Sequence, residues 1–134
     1  MKLFVDTSAL YAVLDADDAR HEQARGAWLE LLEREAQMIC TNYILVETVA
    51  LVQRRLGMEA ARVLLRDVVP LLRVEWVSEV SHEAGVAAFL AAGDRGLSLV
   101  DCASFEAMRR LGLDTAFAFD RHFEEQGFRC VPQQ

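Results

Sequence analysis

Two short apolar runs that each end at an aspartate constrain the fold of this chain most strongly. "KLFV" at 2–5 leads into Asp6, and "TAFAF" at 115–119 leads into Asp120. A continuous apolar run of this length, without polar alternation, suits a strand buried on both faces, as in a parallel sheet covered by helices. Strands of such a sheet end at a common edge. Both carboxylates are therefore expected at the C-terminal edge, where open α/β folds bind their ligands.

The segments between supply the crossovers. "TSALYAVL" reads as one or two helical turns, and from Asp17-Asp18 to Glu35 the apolar residues Ala24, Trp28, Leu31 and Leu32 recur at helical spacing. "MICT" (38–41) is a second strand, and Thr41 or Asn42 can cap a helix from Tyr43 to Leu56 that Gly57 closes. A helix over 59–72 is expected to fray at Pro70, "VEWV" (74–77) alternates as a strand, and a helix from His82 to Ala92 leads to the turn "GDRG". Ser98 opens a helix ending near Gly112, and a short turn "RHFEEQG" precedes a last strand, "FRCV" (128–131). Alternating strands and helices predict an α/β, three-layer domain around a mainly parallel sheet. With 134 residues and no repeat or linker, residues 1–134 are expected to form a single domain.

Composition narrows the class. Hydrophobic residues make up 53%, charged residues 26%, and there are only two Pro and seven Gly, which excludes disordered and collagen-like chains. No apolar run approaches the roughly 18 residues of a membrane span, and an acid at position 6 precedes any signal-peptide core, so a cytoplasmic protein is expected. Cys40, Cys102 and Cys130 lack C-x-x-C spacing and read as reduced packing residues. A net charge of −7 argues against binding nucleic acid by a simple basic surface.

Glu47 and Asp101 add two acids near helix N-termini. If those helices follow strands of the same sheet, four carboxylates can meet at one edge. Each also has a structural explanation: Asp6 and Asp120 as N-caps, and Asp101, three residues after Ser98, as the returning acid of a capping box. Glu47 has Tyr43, Ile44, Ala50 and Leu51 at its helical neighbours, so no intrahelical cation neutralises it. Four clustered carboxylates repel one another unless a cation joins them, and oxygen donors without a thiolate or imidazole cluster suit Mg²⁺ or Mn²⁺. Bound divalent ions would reverse the local sign where a phosphate lies, which answers the objection from net charge.

"FVDTSAL", "NYILVETV", "LSLVDCASFEAMRRLG" and "AFAFDRHFEEQGF", in this order and across nearly the whole chain, resemble the PIN-domain ribonucleases, and within them the VapC-type toxins of toxin–antitoxin pairs. The resemblance implies an endoribonuclease that hydrolyses RNA phosphodiesters with one or two Mg²⁺ or Mn²⁺ ions. Asp6, Glu47, Asp101 and Asp120 would form its acidic quartet, Asp6 and Asp101 as principal ligands, with Thr7 or Ser8 and Ser98 in support. Val100 stands where the family often has a threonine, which removes a hydroxyl but no ligand. The same resemblance implies an antitoxin protein, a homodimer and an RNA substrate whose identity is not legible.

Arg95, Arg121, His122 and the Arg109-Arg110 pair are candidates for RNA contact. Tyr11, Leu14, Trp28 and Leu32 are candidates for a partner surface, with core packing the alternative for Trp28 and Leu32. Three other functions compete. A metal-independent nuclease would pair His122 with His21 or His82, which nothing in the spacing brings close. A phosphoacceptor receiver domain would need a late lysine, yet Lys2 is the only one. A catalytically silent PIN fold that binds RNA or protein would keep the architecture alone.

Overall fold

β1 (Lys2–Val5) is the middle strand of a five-stranded, all-parallel sheet in the computed structural model, which describes residues 1–133. On one side of it lie β2 (Gln37–Thr41) and then β3 (Arg73–Glu75). On the other lie β4 (Thr115–Phe117) and then β5 (Arg129–Val131). The chain builds outward from β1 to β3, then returns to start again beside β1. The reversal of strand order therefore falls between β1 and β4, the crevice where α/β sheets accept ligands.

Helices fill the connections: α1 (Thr7–Leu14) and α2 (His21–Glu33) before β2, and α3 (Asn42–Leu56) and α4 (Met58–Val63) before β3. α5 (Glu79–Ala92) and α6 (Leu99–Leu111) precede β4, and the short α7 (His122–Glu125) precedes β5. Thr41 caps α3 by accepting from the Ile44 N–H at 3.2 Å, and Ser78 caps α5 through the Ser81 N–H at 3.1 Å. Gly112 closes α6 at φ 69°, a left-handed conformation that a side chain would strain. Leu3, Phe4 and Val5 are wholly buried, and Phe123 and Phe105 pack edge to face with ring centroids 5.0 Å apart. No helix among the described residues is long and apolar enough to cross a membrane.

Several boundaries differ from the sequence reading, each for a local reason. α2 starts at His21, because Asp15 and Asp18 accept the N–H groups of Asp17 and Arg20 and bend the chain into turns first. The helix expected over 59–72 is α4 followed by a π turn, Leu64–Val68, and a 3₁₀ turn, Val69–Leu71. Pro70 lacks an N–H and its ring clashes with the carbonyl four residues earlier, so the ladder shifts and the Val69 N–H reaches Leu64. β3 stops before Trp76, which is 72% exposed. β4 ends at Phe117 because its partner Val5 is the last residue of β1; Ala118 and Phe119 carry the chain on to Asp120. α5 begins at Glu79, three residues earlier than expected, where Ser78 provides the cap.

Tyr11 and Trp28 are only 8% exposed and belong to the core, while Leu14 and Leu32 are half-buried and pack against it. The three cysteines are free and buried, as expected. Burial pushes the Cys40 thiol up to about 12 and the Cys130 thiol to about 11, which keeps both protonated.

One buried polar contact fixes α1 against α3. The hydroxyls of Thr7 and Thr48 lie 2.9 Å apart, and Thr48 donates to the Ile44 carbonyl at 2.7 Å. Replacing Thr48 with valine leaves the buried Thr7 hydroxyl without its partner. Thr48→Val should cost about 1–3 kcal/mol, read as a lower urea midpoint at unchanged slope.

Candidate active site

Asp6 is the residue at which β1 becomes α1, and only 5% of it is exposed. Its Oδ2 accepts from the Ser8 N–H at 3.1 Å and from the Ser8 hydroxyl at 2.6 Å. The same hydroxyl accepts from the Phe119 N–H at 2.9 Å, which joins the end of β1 to the segment leaving β4. Ser8 is thus the residue that supports the acid. Thr7, the alternative, turns to Thr48.

Asp120 follows at the far side of the same crevice, its Oδ1 accepting from the His122 N–H at 2.9 Å. Asp101 occupies the first turn of α6 in a complete capping box: Ser98 Oγ accepts from the Asp101 N–H, and Asp101 Oδ2 accepts from the Ser98 N–H, both at 3.0 Å. Each of the three aspartates therefore has one oxygen fixed by a backbone N–H. The other oxygen of each has no protein partner among the described residues.

Together with Glu47 from α3, these aspartates line a cleft of about 480 Å³. Glu47 is half-buried and makes no ion pair among the described residues. Desolvation raises the Asp6 carboxyl to about 7 despite its two bonds from Ser8, and the charges of Asp101 and Asp120 push it further in the same direction. Burial also raises Asp101, opposed by the Ser98 N–H and assisted by Asp120. A buried carboxyl whose charged form is disfavoured by burial and by neighbouring acids, as at Asp6, is one that a cation would stabilise. Asp101, Asp120 and His122 each offer a ligand atom, and these atoms lie within 4.8 Å of one another, a spacing that one ion can bridge. Oxygen donors with one imidazole fit a hard or borderline divalent ion.

The basic candidates fare less well. Arg95 lies outside the acidic cleft, on a separate groove between α5 and α6 with Ala84, Ala88 and Phe105. Arg121 projects into solvent, its side chain 87% exposed and 3.7 Å from Glu125. Arg110 bridges Glu106 and Glu75, while Arg109 bonds Gln126 and covers the Phe128 ring. His122 alone of these candidates stays beside the acids. His21 bonds the Ala12 carbonyl and His82 the Tyr43 hydroxyl, so neither is available to form a catalytic pair with His122.

The cleft also contains a cation that sequence reasoning missed. Arg54 lines it and makes no ion pair among the described residues. The signal was its spacing: Glu47, Ala50, Leu51 and Arg54 stand at i, i+3, i+4 and i+7 and share one face of α3.

Comparison with known proteins agrees with this architecture. The family profile of the PIN domain matches residues 3–129. The chain belongs to the PIN-domain family. A curated PIN relative, the 23S rRNA-specific endonuclease VapC20 of Mycobacterium tuberculosis, is 36% identical over 130 residues, covering 94% of this chain and 95% of that protein. The crystal structure of the Mycobacterium tuberculosis VapC20, described as a sarcin–ricin loop cleaving toxin, superposes with a TM-score of 0.83 at 34% identity over 94% of this chain and 95% of that one. VapBC2 from Rickettsia felis, solved bound to a promoter DNA fragment, shares the fold with a TM-score of 0.72 at 12% identity over the full length of both chains.

The raised Asp6 carboxyl gives the stability of this PIN domain a defined pH dependence. Between an unfolded value near 4 and a folded value of about 7 the native state binds the additional proton, so the Asp6 contribution to metal-free stability is most favourable at low pH and is lost as pH rises through this window. Asp6→Asn cannot ionise. It should match the wild type near pH 4 and exceed it above pH 7 by on the order of 2–4 kcal/mol, measured by denaturant unfolding in a chelator. A constant difference across the range would contradict the assignment.

Proposed function

We propose that this PIN protein is a divalent-metal-dependent endoribonuclease, the toxin of a type II toxin–antitoxin pair, and that its target is RNA of the large ribosomal subunit. The observation that carries the reading is the convergence of Asp6, Glu47, Asp101 and Asp120 on one cleft. The relative at 36% identity, named as a 23S rRNA endonuclease, supports the choice of substrate. The proposed protein is a single PIN unit over residues 1–134, cytoplasmic like its substrate, paired with an antitoxin and associating as a homodimer.

Asp6 and Asp101 would hold the cation directly through their open oxygens, with Asp120, Glu47 and His122 completing the set directly or through water. Mg²⁺ or Mn²⁺, as one ion or two, suits these donors. When bound, the ion supplies Lewis acidity toward the phosphoryl oxygens and lowers the pKa of its water. Ser8 holds the Asp6 carboxylate in one orientation, and the Ser98 N–H does the same for Asp101. Glu47 or Asp120 can help to orient an attacking water and accept its proton. Arg54 offers the guanidinium that an acidic chain needs to retain a phosphate beside the cluster.

Two measurements test this reading. RNA carrying a sarcin–ricin loop should be cut in Mg²⁺ or Mn²⁺ and not in EDTA, and Asp101→Asn should lower the rate about 100-fold or more while the fold persists. Cleavage that survives EDTA would overturn metal dependence; binding without cleavage would favour the silent RNA-binding fold. Arg54→Ala should raise KM several-fold with kcat largely kept, and should reduce the salt dependence of RNA binding by about one phosphate contact.

A further inference from the structure

The segment that carries Asp120 into the cleft lies beyond the strand, since β4 ends at Phe117. Phe119 is held there by two side chains from distant parts of the chain. Its N–H donates to the Ser8 hydroxyl at 2.9 Å, and its carbonyl accepts from Arg20 Nη1 at 3.0 Å. The Arg20 guanidinium also lies over the Phe119 ring, 5.1 Å from its centroid. That carbonyl belongs to the rigid peptide plane whose nitrogen is that of Asp120, so a bond to it fixes the direction in which Asp120 leaves the segment. Arg20 is itself anchored just before α2: its N–H donates to Asp18 Oδ1 at 2.8 Å, and its carbonyl accepts the Ala24 N–H at 2.9 Å. The residue is exposed, yet its guanidinium makes no ion pair among the described residues, Asp120 included. Its contact with the site is through a carbonyl and a ring, not through a carboxylate.

We propose that Arg20 is a positioning residue of the acidic cleft: by holding the Phe119–Asp120 peptide it sets where the Asp120 carboxylate stands to share a cation. This assignment rests on the reading of Asp120 as one of the cation's donors. Two consecutive peptide planes lead into Asp120, and a side chain holds each of them. Ser8 holds the first and, by the same hydroxyl, the Asp6 carboxylate. Arg20 holds the second. The His122 N–H orients Asp120 Oδ1, but it lies beyond the acid in the chain and leaves the approach to it unsupported. An arginine suits this task because its guanidinium is planar: one face lies on the ring while an N–H in the same plane reaches the carbonyl. A lysine at position 20 keeps the charge and has no flat face with which to make both contacts. Charge and geometry are therefore separable by substitution.

The test uses the full-length protein and Mn²⁺ alone, with free and bound ion distinguished by electron paramagnetic resonance and no RNA present. Dissociation constants are compared for wild type, Arg20→Ala, Arg20→Lys, Asp120→Asn and the double variant Arg20→Ala/Asp120→Asn. Urea midpoints confirm the fold of each, and Arg20→Lys, which keeps the aliphatic stem, decides the matter if Arg20→Ala unfolds. Asp120→Asn should weaken Mn²⁺ by about 10–100-fold and Arg20→Ala by about 10-fold, the range for loss of a ligand's support. Arg20→Lys should lie nearer to Arg20→Ala than to wild type. The double variant should bind no more weakly than Asp120→Asn, because Arg20 acts only through that acid. Multiplying losses in the double variant, or full recovery with lysine, would overturn the assignment. Wild-type affinity in Arg20→Ala beside a weakened Asp120→Asn removes the positioning role and leaves the metal site standing. If wild type binds no Mn²⁺, or Asp120→Asn binds it equally well, the reading of Asp120 as a donor falls and this inference with it. On RNA in Mn²⁺, Arg20→Ala should lower kcat with KM within about twofold. A raised KM with a shallower salt dependence makes Arg20 a phosphate contact and overturns the assignment.

Discussion

The Ser8 hydroxyl holds the arrangement together. It donates to Asp6 and accepts from the Phe119 N–H, so one oxygen links the end of β1 to the chain that emerges from β4. These two strands flank the reversal in strand order, and the Ser8 bonds extend past their last backbone contact, the Asp6 N–H donating to the Phe117 carbonyl at 3.0 Å. Because Asp6 is also the N-cap of α1, the bond that closes the crevice sets the direction of that helix. Thr7, one residue on, then reaches Thr48 and fixes α1 on α3, the helix that carries Glu47. Three consecutive residues thus convert strand order into a site.

The carboxylates are expensive to keep there, and the hydrogen bonds show how the fold manages them. Each aspartate has one oxygen bonded by a nearby backbone N–H, which fixes its orientation; the remaining oxygen has no protein partner among the described residues. Burial and mutual repulsion work against the charged form and prevail at Asp6, whose carboxyl rises to about 7. A site in which local capping fixes geometry while desolvation destabilises charge favours a cation over solvent. The capping bonds leave one oxygen of each aspartate without a protein partner among the described residues. At Asp101 the capping box uses Oδ2 only, so a ligand role for Oδ1 would not compete with it.

Much of this was legible in the sequence, because the signals are local. "KLFV" and "TAFAF" marked two buried strands by lacking alternation, and Ser98 with Asp101 marked a helix start by spacing alone. Glu47 stood out because no intrahelical cation faced it. What remained hidden depends on direction and on partners distant in sequence. Arg95 sits in a glycine-flanked turn whose path no local pattern specifies: Gly93 and Gly96 adopt φ of 56° and 81°, and the arginine faces the groove on the other side of α6. Arg54 was overlooked for the opposite reason, since an arginine near a helix C-terminus is what solvation and the helix dipole would place there in any case. Tyr11 and Trp28 are amphipathic, and only the packed structure decides that the core takes both.

The acidity of the chain bears on how such a protein selects RNA. With a net charge of −7 it has little general attraction for phosphate, so non-specific binding along any strand should be weak. Attraction has to be supplied locally instead, by Arg54 in the acidic cleft, and a cation joining the aspartates would add to it. A strand gains affinity only where one of its phosphates reaches that cleft, so selection among RNAs depends on how the backbone is presented there and not on a general attraction for nucleic acid.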